Sequence, residues 1–197
     1  MTASTGSTFT LRRAIFPRVS VLTDVLLVFG GALFVALFAQ ISIPLPFTPV
    51  PITGQTFAVL LVAGALGTVC GTASMGLYML MGMVGMPVYA DHMHGLEVIK
   101  GASGGYIVGF LVAGLVVGFL ADRGWDQKFS SSVTMMLTGN VFIFVIGVIW
   151  LQQVLHTDLA DTLKYGLYPF VPGEIVKLYL AGALLPGAWA LVRRIRS

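Results

Sequence analysis

Charge, cysteine and histidine are all scarce in this sequence. Only 10% of the 197 residues are charged, against roughly a quarter in a soluble domain. That deficit excludes an ordinary soluble enzyme and a disordered chain. The single cysteine, Cys70, excludes a disulfide framework and any CxxC metal or redox motif. Three scattered histidines argue against a zinc cluster. Neither GxxxxGK[ST] nor HExxH occurs, so no Walker loop or zincin helix is expected. No segment alternates with the period of two that an outer-membrane barrel requires.

What is present is apolar residue in long runs. Hydrophobic residues make up 57% of the chain, and the mean hydropathy is +0.93. The natural solvent for such a chain is lipid. Six spans of ~20 residues use ~120 residues and leave no room for a separate soluble domain. The reading is therefore an all-α membrane protein with six transmembrane helices. Residues 1–20 form a basic, Ser/Thr-rich tail, and residues 21–194 form the helical domain. Helix one is expected over Val21 to Ile43, and helix two from near Thr56. Helix three should cover Thr72 to Val84 after a short GTVCGT turn. Helices four, five and six are expected over Gly105 to Ala121, Val133 to Leu151 and Pro172 to Val192. The apolar run near the N-terminus is too long for a signal-peptide core, and no A-x-A-like site follows it.

Six spans put both termini on one side. Arg12, Arg13, Arg18, Arg123, Lys128, Arg193, Arg194 and Arg196 then share that side, and Lys100 and Lys164 lie on the other. The positive-inside rule predicts a multi-pass cell-membrane protein with cytoplasmic termini. Topology and lipid headgroups account for the basic pI, so nucleic acid is not an expected partner.

In this topology several polar features fall at one depth on the outer side. Thr53 and Gln55 end the first outer loop. Gly104, Gly105 and Tyr106 open helix four, and Trp150 closes helix five. Glu174 and Lys177 sit in the first turns of helix six. Their i, i+3 spacing places the pair on one helix face. Ionisable groups in a span usually face the bundle interior or water. An interfacial capping pair with a snorkelling lysine accounts for the same spacing. Asn140 lies ten residues inward from Trp150, ~15 Å deeper, and either serves the site or joins two helices. Asp91, His92 and His94 read as solvated loop residues, since i, i+2 neighbours do not share a helix face. Small residues four apart, such as Ala32 and Ala36, Gly105 and Gly109, and Gly114 and Gly118, suit close helix packing.

Four segments occur in order: PFTPVPITGQTFAVLLVAGALG, GLYMLMGMVGMPVY, GASGGYIVGF and PFVPGEIVKLYLAGALLP. From about Val28 to Ala183 the sequence resembles the BioY family. These are the substrate-binding S components of energy-coupling factor (ECF) biotin transporters. The resemblance implies the six-helix S-component fold, high-affinity biotin binding from outside, and no enzymatic activity of the chain itself. It implies no cofactor, with biotin as transported ligand. The implied partners are a membrane coupling subunit and two ATPase subunits, with the S component toppling in the membrane to release the vitamin. By motif, the expected ligand residues are Gln55, Gly104, Gly105, Tyr106, Glu174 and Lys177. Thr53, Tyr89, Lys100, Asn140 and Trp150 are further candidates, with Lys100 or Lys177 meeting the ligand carboxylate. The Ala-x-x-x-Ala spacing of Ala32 and Ala36 implies docking to the coupling subunit. Two departures stand out: Glu174 replaces the family's usual aspartate, and ADHMHG replaces an often glycine-rich loop. The rival readings are a proton-driven secondary transporter working through Glu174 and an S component for another vitamin.

Overall fold

The computed structural model describes residues 10–16 and 20–196. Arg18 and most of the N-terminal tail lie outside the described residues. Within that tail, α1 (Leu11–Ile15) is a packed turn of helix, with Leu11 and Ala14 buried. Its Arg12 pairs with Asp24 at the start of α2 (Val21–Ala39).

The first span ends earlier than expected, at Ala39. Ser42–Ile43 (β1) instead pairs antiparallel with Ile52–Thr53 (β2), Ser42 opposite Thr53. Pro44, Pro46, Pro49 and Pro51 explain the change. Proline lacks the N–H that a helix or ladder needs and holds its predecessor extended.

The next helix, α3 (Gln55–Met83), is 29 residues long and is folded in two. Gly67 adopts φ 79°, ψ −174°, a region essentially closed to residues with a Cβ. The two arms run back alongside each other. Gln55 Nε2 lies 2.5 Å from the Tyr78 hydroxyl, although 23 residues of straight helix would separate them by ~34 Å. A Cβ on Gly71 would come within 2.9 Å of the Ala63 Cα. The expected turn over GTVCGT is thus a reversal at Gly67 alone. Asp122 fastens it by accepting from Thr68 N (3.1 Å) and Thr68 Oγ1 (2.5 Å).

The connection after α3 contains a 3-10 turn, Ala90–His92, and leads to the short α4 (Leu96–Lys100). Then come α5 (Gly104–Ala121) and α6 (Phe129–Leu155), which extends beyond both expected ends. The loop expected next holds a further helix, α7 (Leu159–Gly166), capped by Asp158 accepting from Asp161 N. The chain ends in α8 (Val171–Arg196). Among the described residues, five helices are long and apolar enough to cross a membrane. With α3 doubled on itself, six apolar segments traverse the bundle.

Glycines set the close approaches. A Cβ at Gly109 would meet the Ile143 backbone at 3.0 Å, so α5 lies tight on α6. One at Gly118 would meet Thr68 at 2.6 Å, so α5 also lies tight on the α3 hairpin. Between lipid-like surfaces no hydrophobic force drives association, and such backbone contact supplies the attraction. Ala32 (0% exposed) and Ala36 (8%) face inward, on the same α2 face as Gly31, which abuts Val62 and Ser74 of α3. The expected docking face is therefore corrected: those small residues let α2 approach α3 and are not on the surface.

Candidate functional site

The α2–α3, α3–α5 and α6–α8 connections meet at one end of the bundle and enclose a cavity. Its polar wall is Thr53, Gln55, Thr56, Ser103 and Glu174. Its aromatic wall is Tyr89, Tyr106, Phe110, Phe144 and Phe170. Its volume is about 40 Å³, room for about three ordered waters.

Glu174 is the centre of the polar wall and is only 6% exposed. Its position in the first turn of α8, after Pro172 and Gly173, suits an acid at a helix N-terminus. Oε1 accepts from Thr56 Oγ1 (2.9 Å) and Lys177 Nζ (2.6 Å). Oε2 accepts from Asn140 Nδ2 (2.7 Å). A carboxylate has about four acceptor positions, so one stays open. Lys177 Nζ also donates to the Thr53 carbonyl (2.5 Å) and to Thr56 Oγ1 (3.2 Å). All three ammonium donors are thereby used, and Lys177 stands behind Glu174 and Thr56, outside the cavity lining. A buried pair of this kind holds only because every charge is hydrogen-bonded.

Gln55 is fixed at both ends of its amide. Nε2 donates to Tyr78 Oη, and Oε1 accepts from Thr53 Oγ1 at 2.9 Å. Tyr106 donates to the Gly166 carbonyl at 2.7 Å, so α7 holds its ring in the wall. Tyr89 donates to the Met79 carbonyl at 2.7 Å, and burial pushes its phenol up to about 12. The segment carrying Tyr89 is tied to the end of α2 by Gln40. Its Nε2 donates to the carbonyls of Ala36 and Tyr89 (3.1 Å each), and its Oε1 accepts from His92 N.

Other expected residues lie elsewhere. Gly104 and Gly105 give close packing, against the Ile99 carbonyl and the Trp150 Cβ, and are not in the lining. Trp150 packs outside the cavity, with Nε1 donating to the Gly101 carbonyl at 3.1 Å. Lys100 points into solvent beside Glu97, its side chain 69% exposed. Depth in the bundle selected Trp150 and Lys100, but depth does not fix the direction a side chain takes. Asn140 sits behind Glu174, on an adjoining cleft of about 190 Å³ between α6 and α8 that Glu174 and Phe144 also line. His92 and His94 are exposed as expected, and among the described residues no three metal-ligating side chains converge.

The sequence profile of the BioY family matches residues 8–194. The chain belongs to the BioY family. A biotin transporter BioY of Thermotoga maritima is 36% identical over 146 residues, spanning 74% of this chain and 83% of the relative. A probable biotin transporter BioY of Pyrococcus horikoshii is 38% identical over 149 residues, spanning 74% and 85%. Among solved structures, the fold matches the S-component for biotin from an ECF-type ABC transporter. The TM-score is 0.77 at 26% identity, over 91% of this chain and 95% of that one. Family and apolar helices together make this a multi-pass membrane protein.

Sequence reading missed Thr56, Ser103, Phe110, Phe144 and Phe170. A signal existed for two of them. Phe110 follows Tyr106, and Phe144 follows Asn140, at the i, i+4 spacing of one helix face. Thr56 carried no such mark, because its partner lies on another helix.

Proposed function

We propose that this BioY-family chain is the biotin-binding S component of an ECF-type transporter, and that the Glu174 cavity holds the ligand. One observation carries the assignment of the site: a buried carboxylate, fixed by three donors, is presented to an aromatic-lined cavity. Biotin offers a matching surface. Its ureido N–H groups suit the open acceptor position of Glu174, and its carbonyl suits donors around Gln55 and Thr53. Tyr89, Tyr106, Phe110 and Phe144 cover the apolar bicycle, as ligand pockets usually do. Lys177 orients Glu174 from behind. Lys100 lies outside, so the valerate carboxylate extends past Ser103 toward the mouth.

The cavity must widen to admit the bicycle. The segment between Gly85 and Gly95 suits this movement: both glycines hold positive φ, with open space where a Cβ would stand. Energy comes from partners, since the sequence has no nucleotide-binding loop. Those partners are a membrane coupling subunit and two ATPase subunits. The basic residues put both termini in the cytoplasm and the cavity outside. Titration of the purified chain in nanodiscs with biotin tests the reading. Saturable binding tighter than about 1 µM, worth ~8 kcal/mol, is expected; no saturable binding in that range overturns it.

A further inference from the structure

At the end of the bundle opposite the cavity, a second acid is buried that biotin binding does not use. Asp126 lies in a 3-10 turn, Trp125–Gln127, between α5 and α6. It is 0% exposed. One carboxyl oxygen, Oδ2, accepts from Trp189 Nε1 of α8. The other, Oδ1, has no hydrogen-bond partner, and neither does the buried Ser132 Oγ on the first turns of α6. A buried carboxylate in that condition is costly as an anion. Protonation removes the cost.

The neighbouring acid disfavours the anion further. From α5 it faces Asp122, another acid, already engaged by Thr68. Beside Asp122, Arg123 lies over the Phe119 ring. Lys128 precedes α6, and Arg193 and Arg194 follow Trp189 by one turn of α8. Burial, opposed by the Trp189 donor and by its own backbone N–H, pushes the Asp126 carboxyl up to about 6.

The place of Trp189 gives this acid a mechanical role. Pro186 lies inside α8, where it removes a backbone hydrogen bond and so weakens the helix at that turn. Gly187 follows with open space around it. Ahead of the proline, α8 is pinned, because a Cβ at Gly182 would strike the Val133 backbone at 3.2 Å. Beyond it, the Asp126–Trp189 bond ties the last turns of α8 to the α5–α6 connection. We propose that Asp126 is a proton-binding site whose occupancy fastens the end of α8, beyond Pro186, to that connection. In the orientation proposed above, the proton comes from the cytoplasm. The neutral acid stays buried and the turn stays closed. The anion takes the stronger bond from Trp189 but, with Oδ1 unpaired, draws water in and loosens the turn.

The sign follows from the raised affinity. The folded state binds the proton more tightly than the unfolded chain. The stability it adds is full below about pH 4 and is lost as pH rises through about 6. The full chain with Trp125→Phe and Trp150→Phe leaves Trp189 as the one fluorophore. Its emission is expected to titrate as a single proton near pH 6, with the thermal midpoint falling over the same range. Asp126→Asn keeps an acceptor for Trp189 and should abolish both changes. Trp189→Phe, read by thermal midpoint, should move the transition to higher pH, because it removes the donor that favours the anion. A transition that persists in Asp126→Asn, or its absence from the parent, overturns the proposal.

Discussion

Exchanging Glu174 for glutamine, alone and with Lys177→Met, separates a ligand contact from a structural ion pair. Glu174 receives three donors, from Thr56, Lys177 and Asn140. A glutamine has one acceptor oxygen and one donor nitrogen. Whichever way its amide turns, one contact becomes donor against donor. The Glu174Gln chain also leaves the Lys177 ammonium, 16% exposed, without its counter-charge. Breaking a buried pair from one side costs about 3–5 kcal/mol. Removing both charges usually costs little, because neither is left stranded. The single variant is therefore expected to lose about 3 kcal/mol of stability, and the double variant to regain most of it.

Affinity should behave differently. A hydrogen bond from a ligand N–H to a carboxylate is worth about 1.5–3 kcal/mol, or roughly 10- to 100-fold in Kd. That loss should appear in Glu174→Gln and persist in the double variant. Chemical unfolding and biotin titration of the same nanodisc samples read the two quantities separately. Wild-type affinity in the double variant would show that Glu174 does not touch ligand. A double variant no more stable than the single would show that the pair is not energetically coupled.

Three further outcomes follow from the geometry. Gly67→Ala should destabilise the hairpin by more than about 2 kcal/mol, because it forces a Cβ into a glycine-only conformation and against Asp122 at 2.5 Å; thermal unfolding reads it. Ala32→Trp should lower the thermal midpoint of the isolated chain, since overpacking a filled contact costs about 1–3 kcal/mol; an unchanged midpoint would return Ala32 to the surface. Lys100→Ala should leave biotin affinity within about twofold, as an exposed pair with Glu97 contributes little; a tenfold loss would bring Lys100 into the site.

The spans were legible because apolar length is a one-dimensional signal, and the Glu174–Lys177 pair because i, i+3 neighbours share a face whatever surrounds them. What failed was direction between helices. Ala32 and Ala36 announce a close approach, but their spacing does not say whether the approaching helix belongs to the same chain. Gly104 and Gly105 look like ligand-facing amides, yet they are small because Ile99 and Trp150 press on them. The reversal falls on Gly67, the first residue of the expected GTVCGT turn, so the second arm starts about four residues earlier than the sequence suggested. One glycine with positive φ turns the chain without the polar loop that usually marks a turn. The eight-residue α7 was missed because its order comes from packing under Tyr106, which donates to Gly166.

The way α8 is held connects these points. With α2, it is the least buried of the long helices. Packing alone therefore gives its cavity end little orientation. Hydrogen bonds supply it instead: Glu174 to Asn140 on α6, Glu174 and Lys177 to Thr56 at the start of α3, and Lys177 to Thr53 at the end of β2. In a nearly dry bundle these polar groups have few alternative partners. A ligand group that engages Glu174 must share or replace bonds that position α8. The free energy of binding is thereby linked to the position of the cavity end of α8, while α3, α5, α6 and the middle of α8 at Gly182 stay locked by glycine contacts. That division explains why one acid and one base, Glu174 and Lys177, are kept inside the bundle at this point: packing holds the frame, and charge holds the element that ligand acts upon.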